Sequence, residues 1–292
     1  MKLGTTTLSV TTAGRPRQKY AASGGGGGGG GPVVWNNIST ATAVRNSRLA
    51  FPSNYGPNGF YFKPDGTKLF ISYSSSANYY IDEYTLSTPW DISTYSKNHT
   101  FTPPSPYVRV MDIFIKPDGT RLFYSDWQTD RVVEFTMTTA WDLSSMSASP
   151  IQFFDIPSET YLRGLWFTQD GIKMFVHGFS TDKIRSFDLS TPWDITSSTA
   201  VGTSSIMGTV PLSLFFKEDG TRAYSTENTG DTIKQWNLST PYDITGISTS
   251  NYDDIINYGS IDNQPSGIYI SADGSRLYLG GGQHDKLYQL SL

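Results

Sequence analysis

The sequence predicts an all-β fold, a five-bladed β-propeller, on three observations. An Asp-Gly pair recurs five times in the 292 residues, about 50 residues apart, at residues 65, 118, 170, 219 and 273. Each pair lies between two short apolar runs, as expected for a β-hairpin. The last copy is incomplete, and the missing piece is found near residue 35. Four strands per copy, this period and the lack of helical periodicity are typical of a propeller.

The first two strands of each blade flank the Asp-Gly pair. In the first copy residues 60–62 (Phe-Tyr-Phe) precede Asp65-Gly66, and residues 69–71 (Leu-Phe-Ile) follow it. Glycine tolerates the positive φ that a tight turn requires. Runs that are apolar throughout suit strands buried on both faces. The Asp residues of these pairs are therefore interpreted as turn-forming residues, not as catalytic carboxylates.

The third strand follows a second loop, and four copies place an aspartate at its predicted start. These residues are Asp130, Asp182, Asp231 and Asp285. A turn of the form Ser/Thr-Thr-Pro/Ala-Trp/Tyr-Asp comes next, as in residues 87–91. We expect its aromatic ring to wedge between blades and its Asp to cap backbone amides. The fourth strand falls in a less regular segment, for example residues 151–154.

The two ends of the repeat region complement each other. The fifth copy reaches Leu292 before its turn and fourth strand. Residues 35–39 resemble the turn that begins at Trp141, and residues 49–52 resemble residues 154–157. Residues 35–51 are therefore expected to supply the outer strand of the last blade. This closure would remove two sheet edges from a propeller spanning residues 35–292.

The segment before the propeller differs in composition and charge. Residues 1–23 are rich in Thr, Ser and Ala, and residues 24–34 contain eight consecutive glycines, which is typical of a flexible linker. Residues 1–64 carry seven basic and no acidic residues, whereas the remainder has a net charge of −11. We expect residues 1–23 to form an extended arm that binds an acidic partner by basic contacts and strand addition. The candidate anchor residues are Lys2, Leu3, Thr5, Leu8, Val10, Arg15, Arg17 and Lys19.

Composition excludes several classes of function. The chain has no Cys, which excludes disulfides, thiolate metal sites and a Cys nucleophile. Three His residues are too few for a His-rich metal centre. No apolar run approaches 18 residues, so no membrane insertion is expected. The sequence predicts no cofactor, no metal, no catalytic residue and no nucleic-acid partner.

One face of the predicted propeller carries the polar and aromatic loop residues. The loops before the inner strands and those between second and third strands share this face around the central channel. Asp112 stands where other blades have Gly or Ser, and an ion pair with Arg109 or Arg163 is favoured over a polar ligand site. Trp127 would stack a sugar ring or pack on the next blade. The candidate ligand face consists of Arg109, Asp112, Trp127, Arg163, His177 and His284.

Over residues 35–292 the period and the split closure resemble the β-propeller superfamily. Propellers of the Trp-Asp repeat class have shorter copies and a Gly-His signature, which this chain lacks. The repeat Leu-Ser-Thr-Pro-Trp-Asp-Ile-Ser of residues 86–93 is similar to repeats in propeller-type proteins of bacteriophages. The opening residues 2–6 and the polyglycine segment resemble the leader and tether of phage tail and fibre proteins.

This resemblance implies a non-enzymatic structural protein of a phage virion. Its arm would anchor it to capsid or tail proteins, and its propeller would decorate the surface or serve host adhesion, with a host-surface glycan as a further partner. The protein would assemble in the host cytoplasm and become extracellular as part of the particle.

Two alternative functions belong to other classes. A soluble carbohydrate- or ligand-binding propeller would carry equivalent pockets in every blade, but residues 74–78 and 280–284 differ in the corresponding loops. A propeller hydrolase would need paired carboxylates near the channel, and Asp112 stands alone at the inner-strand starts.

Overall fold

Five antiparallel sheets of four strands each form the described part of the chain, as the sequence predicts for a five-bladed β-propeller. The computed structural model describes residues 35–51, 56–75, 78–156, 158–208 and 210–292. The arm (1–23) with all eight anchor candidates and the linker (24–34) lie outside these residues. Within the described ranges, no helix is long and apolar enough to cross a membrane.

The strands follow one another outward from the channel in each blade. Blade 1 contains β2 (Pro57–Phe62), β3 (Lys68–Ser75), β4 (Asn78–Leu86) and β5 (Tyr95–Phe101). Blade 2 contains β6 (Val110–Ile115), β7 (Arg121–Asp126), β8 (Arg131–Thr136) and β9 (Gln152–Asp155). Blade 3 contains β10 (Leu162–Phe167), β11 (Lys173–Gly178), β12 (Ile184–Leu189) and β13 (Ser198–Thr203). Blade 4 contains β14 (Pro211–Phe216), β15 (Arg222–Glu227), β16 (Thr232–Asn237) and β17 (Asp254–Asn257). Blade 5 contains β18 (Pro265–Ile270), β19 (Arg276–Gly281), β20 (Lys286–Ser291) and β1 (Thr42–Ala50).

The Asp-Gly pairs form the turns between first and second strands. Each glycine has a left-handed backbone, with φ of 72° at Gly66 and 75° at Gly119. The Asp65 carboxylate accepts a hydrogen bond from the Thr67 N–H at 2.9 Å, which fixes the turn. The flanking strands are buried on both faces, as β6 shows along its whole length. The interpretation of these pairs as turn chemistry is therefore confirmed.

An aromatic ring packs on the glycine of every Asp-Gly turn. The Trp141 N–H donates to the Gly119 carbonyl at 2.9 Å, and the ring covers Gly119 so closely that a Cβ there would overlap it. The same ring stacks on Tyr61 of the preceding blade, with centroids 6.4 Å apart, and contacts Phe70. The predicted wedge between blades is therefore confirmed. Equivalent rings cover the other four turn glycines: Trp35, Trp90, Trp193 and Tyr242.

A short 3-10 helix follows each of four aromatic rings, and three of these helices have the predicted aspartate cap. The Asp142 carboxylate, for example, accepts from the Ser144 N–H at the start of the helix Leu143–Ser145. Asp91 and Asp194 cap the helices Ile92–Thr94 and Ile195–Ser197 in the same way. The helix Ile38–Thr40 begins after Asn37 and has no side-chain cap. A fifth 3-10 helix, Tyr258–Ser260, precedes β18.

Buried polar side chains join neighbouring blades beside these wedges. Glu83 on β4 accepts from the Leu143 N–H of blade 2 at 2.8 Å. Lys68 pairs with Glu83 at 2.5 Å and donates to the Trp141 carbonyl at 2.6 Å. Blade 2 contacts blade 3 in the same way, because Arg121 pairs with Glu134 of its own blade and donates to the Trp193 carbonyl of blade 3 at 3.2 Å. Aromatic packing and polar contacts therefore fix the same interface.

Strand β1 closes the ring by pairing antiparallel with β20. Thr42 faces Ser291, and Ala50 faces Lys286, with a register shift between them. The fifth blade thus takes its outer strand from the amino-terminal side, where the sequence places it. The strand is shorter than residues 35–51, because residues 38–40 form a 3-10 turn against blade 4, where the Ile38 N–H donates to Gln235 at 3.4 Å.

The third strands begin one or two residues later than the sequence predicts. Asp130, Asp182, Asp231 and Asp285 have φ between 49° and 57°, a left-handed conformation that does not fit a strand. The strands start at Arg131, Ile184, Thr232 and Lys286. These aspartates belong to the loops, where Asp130, Asp182 and Asp231 bind backbone N–H groups of the next blade.

Truncation of one wedge should weaken the whole domain. We expect Trp141→Ala to lower the free energy of unfolding by about 3–5 kcal/mol, because it empties the space between Gly119, Tyr61 and Phe70. Urea unfolding followed by fluorescence measures this loss. The exposed Ile172 serves as the control, and its Ala variant should stay within about 0.5 kcal/mol of the parent. Equal losses in the two variants would contradict the role given to the wedge.

Candidate ligand-binding face

The loops at one end of the strands interlock around the channel. The Trp127 N–H, from the loop between β7 and β8, donates to the Arg109 carbonyl before β6 at 3.0 Å. The Asn228 N–H donates to the Val210 carbonyl in blade 4 at the same distance. The two loop sets that the sequence assigns to one face are therefore in contact. Side chains from neighbouring blades meet on this face.

Aspartates that precede the third strands hold the next blade's incoming loop. The Asp130 carboxylate of blade 2 accepts from the Tyr161 N–H of blade 3 at 2.5 Å. Asp231 of blade 4 binds the Gln264 N–H of blade 5 at 2.8 Å. Tyr161 and Gln264 both have left-handed backbones, with φ of 58° and 60°. The aspartates thereby fix a backbone conformation that non-glycine residues seldom adopt.

Four side chains on blades 2 and 3 form an aromatic shelf: Arg109, Trp127, Tyr161 and Phe179. The Arg109 guanidinium lies over the Trp127 ring, 4.6 Å from its centroid. Tyr161 stacks on Trp127 at 4.5 Å, and Phe179 meets Tyr161 edge-on at 6.4 Å. Trp127 is half-buried, whereas Tyr161 and Phe179 expose 45% and 44% of their surface. The exposed apolar surface of the shelf therefore belongs mainly to blade 3.

The sequence leaves two roles open for Trp127, stacking on a sugar ring or packing on the next blade. Its ring packs on Tyr161 of the next blade, which is the second of those alternatives. Sequence reasoning missed Tyr161 and Phe179, although Tyr161 precedes β10 and Phe179 follows β11, in the loop sets already assigned to this face. Their aromatic character in exposed loops was the signal that could have found them.

Asp112 lies at the channel end of β6 and is 6% exposed. Its carboxylate accepts from the N–H groups of Ile113 at 3.0 Å and Leu165 at 3.2 Å. A Cβ at Gly59 would overlap it, so the small residue in blade 1 makes room for this side chain. Burial raises the pKa of Asp112 to about 8. The expected ion pair with Arg109 or Arg163 is wrong, because the carboxylate binds backbone N–H groups.

His177 on β11 is fully buried against Gly164 of the inner strand. Burial, with a further contribution from the Arg163 charge, lowers the pKa of His177 to about 3. The imidazole is therefore neutral at physiological pH. In the described ranges no three His, Asp or Glu side chains are grouped as metal ligands would be.

His284 lies apart from the shelf, on blade 5. Its Nδ1 is 3.2 Å from the Asp262 carboxylate, and half of its side chain is exposed. Arg163 follows Tyr161 by two residues on β10 and lies close enough to His177 to affect its pKa. Of the six predicted residues, Arg109 and Trp127 are on the shelf and Arg163 adjoins it. Asp112 is buried among the inner strands, and His177 is buried between β11 and the inner strand of its own blade.

Buried carboxylates that sequence reasoning missed organise the loops of this face. Glu159 accepts from the N–H groups of Ser180 and Thr181, each at 3.1 Å. Asp126 accepts from the N–H groups of Gln128 and Thr129. These bonds order the loops that carry Phe179 and Trp127. The site therefore rests on fixed loops.

In three blades a carboxylate packs against a glycine where the incoming loop meets the end of the second strand. The carboxylate belongs to the loop in two of these blades and to the strand in the third. In blade 3 Glu159 of the incoming loop lies over Gly178, at the end of the second strand. In blade 5 Asp262 lies over Gly281 in the same way. In blade 4 the arrangement is reversed, because Glu227 ends the strand and lies near Gly208 of the incoming loop. One carboxylate faces one glycine in each of these blades.

A groove of about 280 Å³ lies elsewhere, between blades 5 and 1. At its base Asp82 binds Lys97 at 2.7 Å, the Tyr84 hydroxyl at 2.9 Å and the Thr100 hydroxyl at 2.7 Å. These donors satisfy the carboxylate, so the groove offers a ligand little unpaired polarity. It is lined by Leu49, Ala50, Phe51, Tyr73, Asp82, Tyr84, Tyr95 and Lys97.

Comparison with known proteins identifies the fold and no family. No protein-family model matches the chain, and no curated protein matches it. The structure is similar to a proposed 6-phosphogluconolactonase of Bacteroides fragilis, with a TM-score of 0.51 and 12% identity over 76% of each chain. It is also similar to a periplasmic gluconolactonase of Pseudomonas aeruginosa, with a TM-score of 0.50 and 15% identity over 76% of this chain and 62% of that one. At these identities the likeness shows the β-propeller fold alone.

The buried Asp112 should make stability depend on pH. In the unfolded chain the Asp112 carboxyl loses its proton at its ordinary pKa of 3.8, whereas in the folded protein it keeps the proton until about pH 8. Wild-type stability therefore falls across this range, and Asp112→Asn removes that loss. Between about pH 5 and 8 the variant should gain roughly 3–4 kcal/mol relative to wild type.

Urea titrations across this pH range measure the gain. Asp142→Asn is the control, because its hydrogen bond from the Ser144 hydroxyl lowers the pKa of that carboxyl, so its effect appears only in acid. A difference between Asp112→Asn and wild type that does not change with pH would contradict the assignment.

Proposed function

We propose that the protein is a non-enzymatic binding protein whose propeller presents the aromatic shelf to a glycan. The supporting observation is the exposed pair Tyr161 and Phe179, backed by Trp127 and Arg109. Aromatic rings with one exposed face bind flat apolar surfaces, and the C–H face of a pyranose is such a surface. Contiguous exposed apolar groups at ordered loops are typical of binding sites.

The acidic groups near the channel support binding over hydrolysis. A glycosidase mechanism uses two carboxylates that face the substrate, one as acid and one as base or nucleophile. Asp112 is buried and bound to two backbone N–H groups. Glu159 and Asp126 are likewise bound to loop N–H groups. These side chains hold the face together, and the likeness to lactonases extends to the fold alone.

We further propose that the protein is part of a phage virion. This part rests on the resemblance of residues 2–6 and the polyglycine segment to leaders and tethers of virion proteins, and of the repeat to phage propellers. Residues 1–23 would anchor the chain to capsid or tail proteins. The propeller would then face outward, where a host-surface glycan reaches the shelf.

Glycan binding should depend on the exposed pair of the shelf. On a glycan array and then by calorimetry, we expect Tyr161→Ala and Phe179→Ala each to weaken binding about tenfold, since each removes a stacking surface worth roughly 1–2 kcal/mol. Ile172→Ala is the matched control, because Ile172 is equally exposed but lies on the turn at the opposite end of β11. Binding that all three variants retain would contradict the proposal.

Particle composition tests the virion part directly. Mass spectrometry of purified particles from the source culture should detect this polypeptide. Hundreds of copies would indicate head decoration, and a few to some tens would indicate a tail or fibre. Deletion of residues 1–34 should abolish incorporation and leave a folded propeller by circular dichroism. Absence from particles, or incorporation of the deleted chain, would refute the anchoring role.

A further inference from the structure

Neither of the two arginines at the shelf takes part in the ion pairs that other lysine and arginine side chains form in the described residues. Ten lysine and arginine side chains in the described part of the chain pair with Asp or Glu. Arg109 and Arg163 have no such pair among the described residues. Arg109 lies over Trp127, whereas the Nε of Arg163 is buried and has no hydrogen-bond partner within the described ranges.

The surroundings of Arg163 leave its charge uncompensated. The titratable side chains that interact with it include His177 on β11 and Tyr79 on β4. The lowered pKa of His177 keeps the imidazole neutral, and the Asp112 carboxyl in the inner strand of blade 2 accepts from backbone N–H groups instead of pairing with an arginine. Burial also lowers the pKa of Arg163, yet an arginine remains charged at physiological pH. An unpaired, largely buried guanidinium is costly unless an anion meets it.

The position of Arg163 relates this charge to the shelf. Only Leu162 separates it from Tyr161, so the two Cα atoms lie within about 7 Å. Tyr79 of blade 1 also interacts electrostatically with Arg163, which places a second phenol on the channel side. A ligand whose ring rests on Tyr161 can therefore extend an anionic group toward Arg163. Guanidinium binds carboxylate through two parallel hydrogen bonds.

We propose that the ligand of the shelf is an acidic saccharide, with its carboxylate bound by Arg163 and its ring stacked on Tyr161. This inference rests on the proposed glycan-binding function and names the class of glycan. Arg109 adds a second positive charge at the same edge. An arginine beside an aromatic ring favours a carboxylated sugar over a neutral one and over a simple anion.

Matched pairs of saccharides that differ in one charge test this inference on the full chain. Sialyllactose is compared with lactose, and an oligogalacturonate with its methyl ester, by calorimetry at low and high salt. We expect the acidic member to bind at least tenfold more tightly at low salt, and this preference to shrink as salt increases. Arg163→Gln should reduce the preference to less than twofold and leave binding of the neutral member unchanged.

Two controls separate charge recognition from folding and from general electrostatics. Lys183→Gln removes a positive charge from the loop before β12 and should keep the preference for the acidic member. Thermal unfolding of Arg163→Gln should occur at or above the wild-type temperature, since the variant loses an unpaired buried charge.

Each remaining outcome is decisive. Equal binding of acidic and neutral members by the wild type would overturn the inference and leave the glycan-binding proposal intact. Preference for the acidic member that survives in Arg163→Gln would overturn the role of this arginine. Failure to bind any saccharide would overturn both proposals.

Discussion

Packing of an aromatic ring on the glycine of each Asp-Gly turn is the contact on which closure of the propeller depends. Trp141 shows how it works, because one ring covers Gly119 of its own blade and stacks on Tyr61 of the blade before. The distance between blades is thus set by the thickness of a ring. The backbone carbonyl of Trp141 also accepts a hydrogen bond from the Lys68 ammonium of the neighbouring blade, so this charged contact depends on the position of the ring. Strand β1 completes a circle whose angle these contacts have already fixed.

The fold was readable from the sequence because its key contacts are local and repeated. In four blades the turn glycine and its ring lie in the same copy, 22 to 24 residues apart, so the repeat displays both, whereas Gly274 of the fifth blade receives Trp35 from the amino-terminal side. The repeat predicts the start of the third strand one or two residues too early, because Asp130 and its equivalents have a left-handed backbone, and Asp130 binds the Tyr161 N–H of the next blade. Nothing within one copy shows a bond to the following copy. Strand boundaries that depend on such bonds require the assembled ring.

The candidate site could be predicted only in outline. Loop position placed Arg109, Trp127 and Arg163 on one face, and the structure brings Arg109 and Trp127 into contact. Residue type alone could not show that Asp112 points into the channel and binds two backbone N–H groups. It also could not show that Tyr161 and Phe179 supply the exposed surface. Burial and pairing are properties of neighbouring blades, and they decide which polar residues remain available.

The pairing of one carboxylate with one glycine limits how this propeller can be recombined. In blade 3 the acid (Glu159) lies in the incoming loop and the glycine (Gly178) ends the strand, whereas in blade 4 the glycine (Gly208) lies in the loop and the acid (Glu227) ends the strand. A hybrid with acids on both sides would force two charges into one buried volume, and a hybrid with glycines on both sides would lose the loop's acceptor. A blade can therefore be duplicated or transplanted intact only together with the segment that leads into its inner strand. The structural unit of this propeller therefore begins in the incoming loop, before the Asp-Gly hairpin by which the repeat is recognised in the sequence.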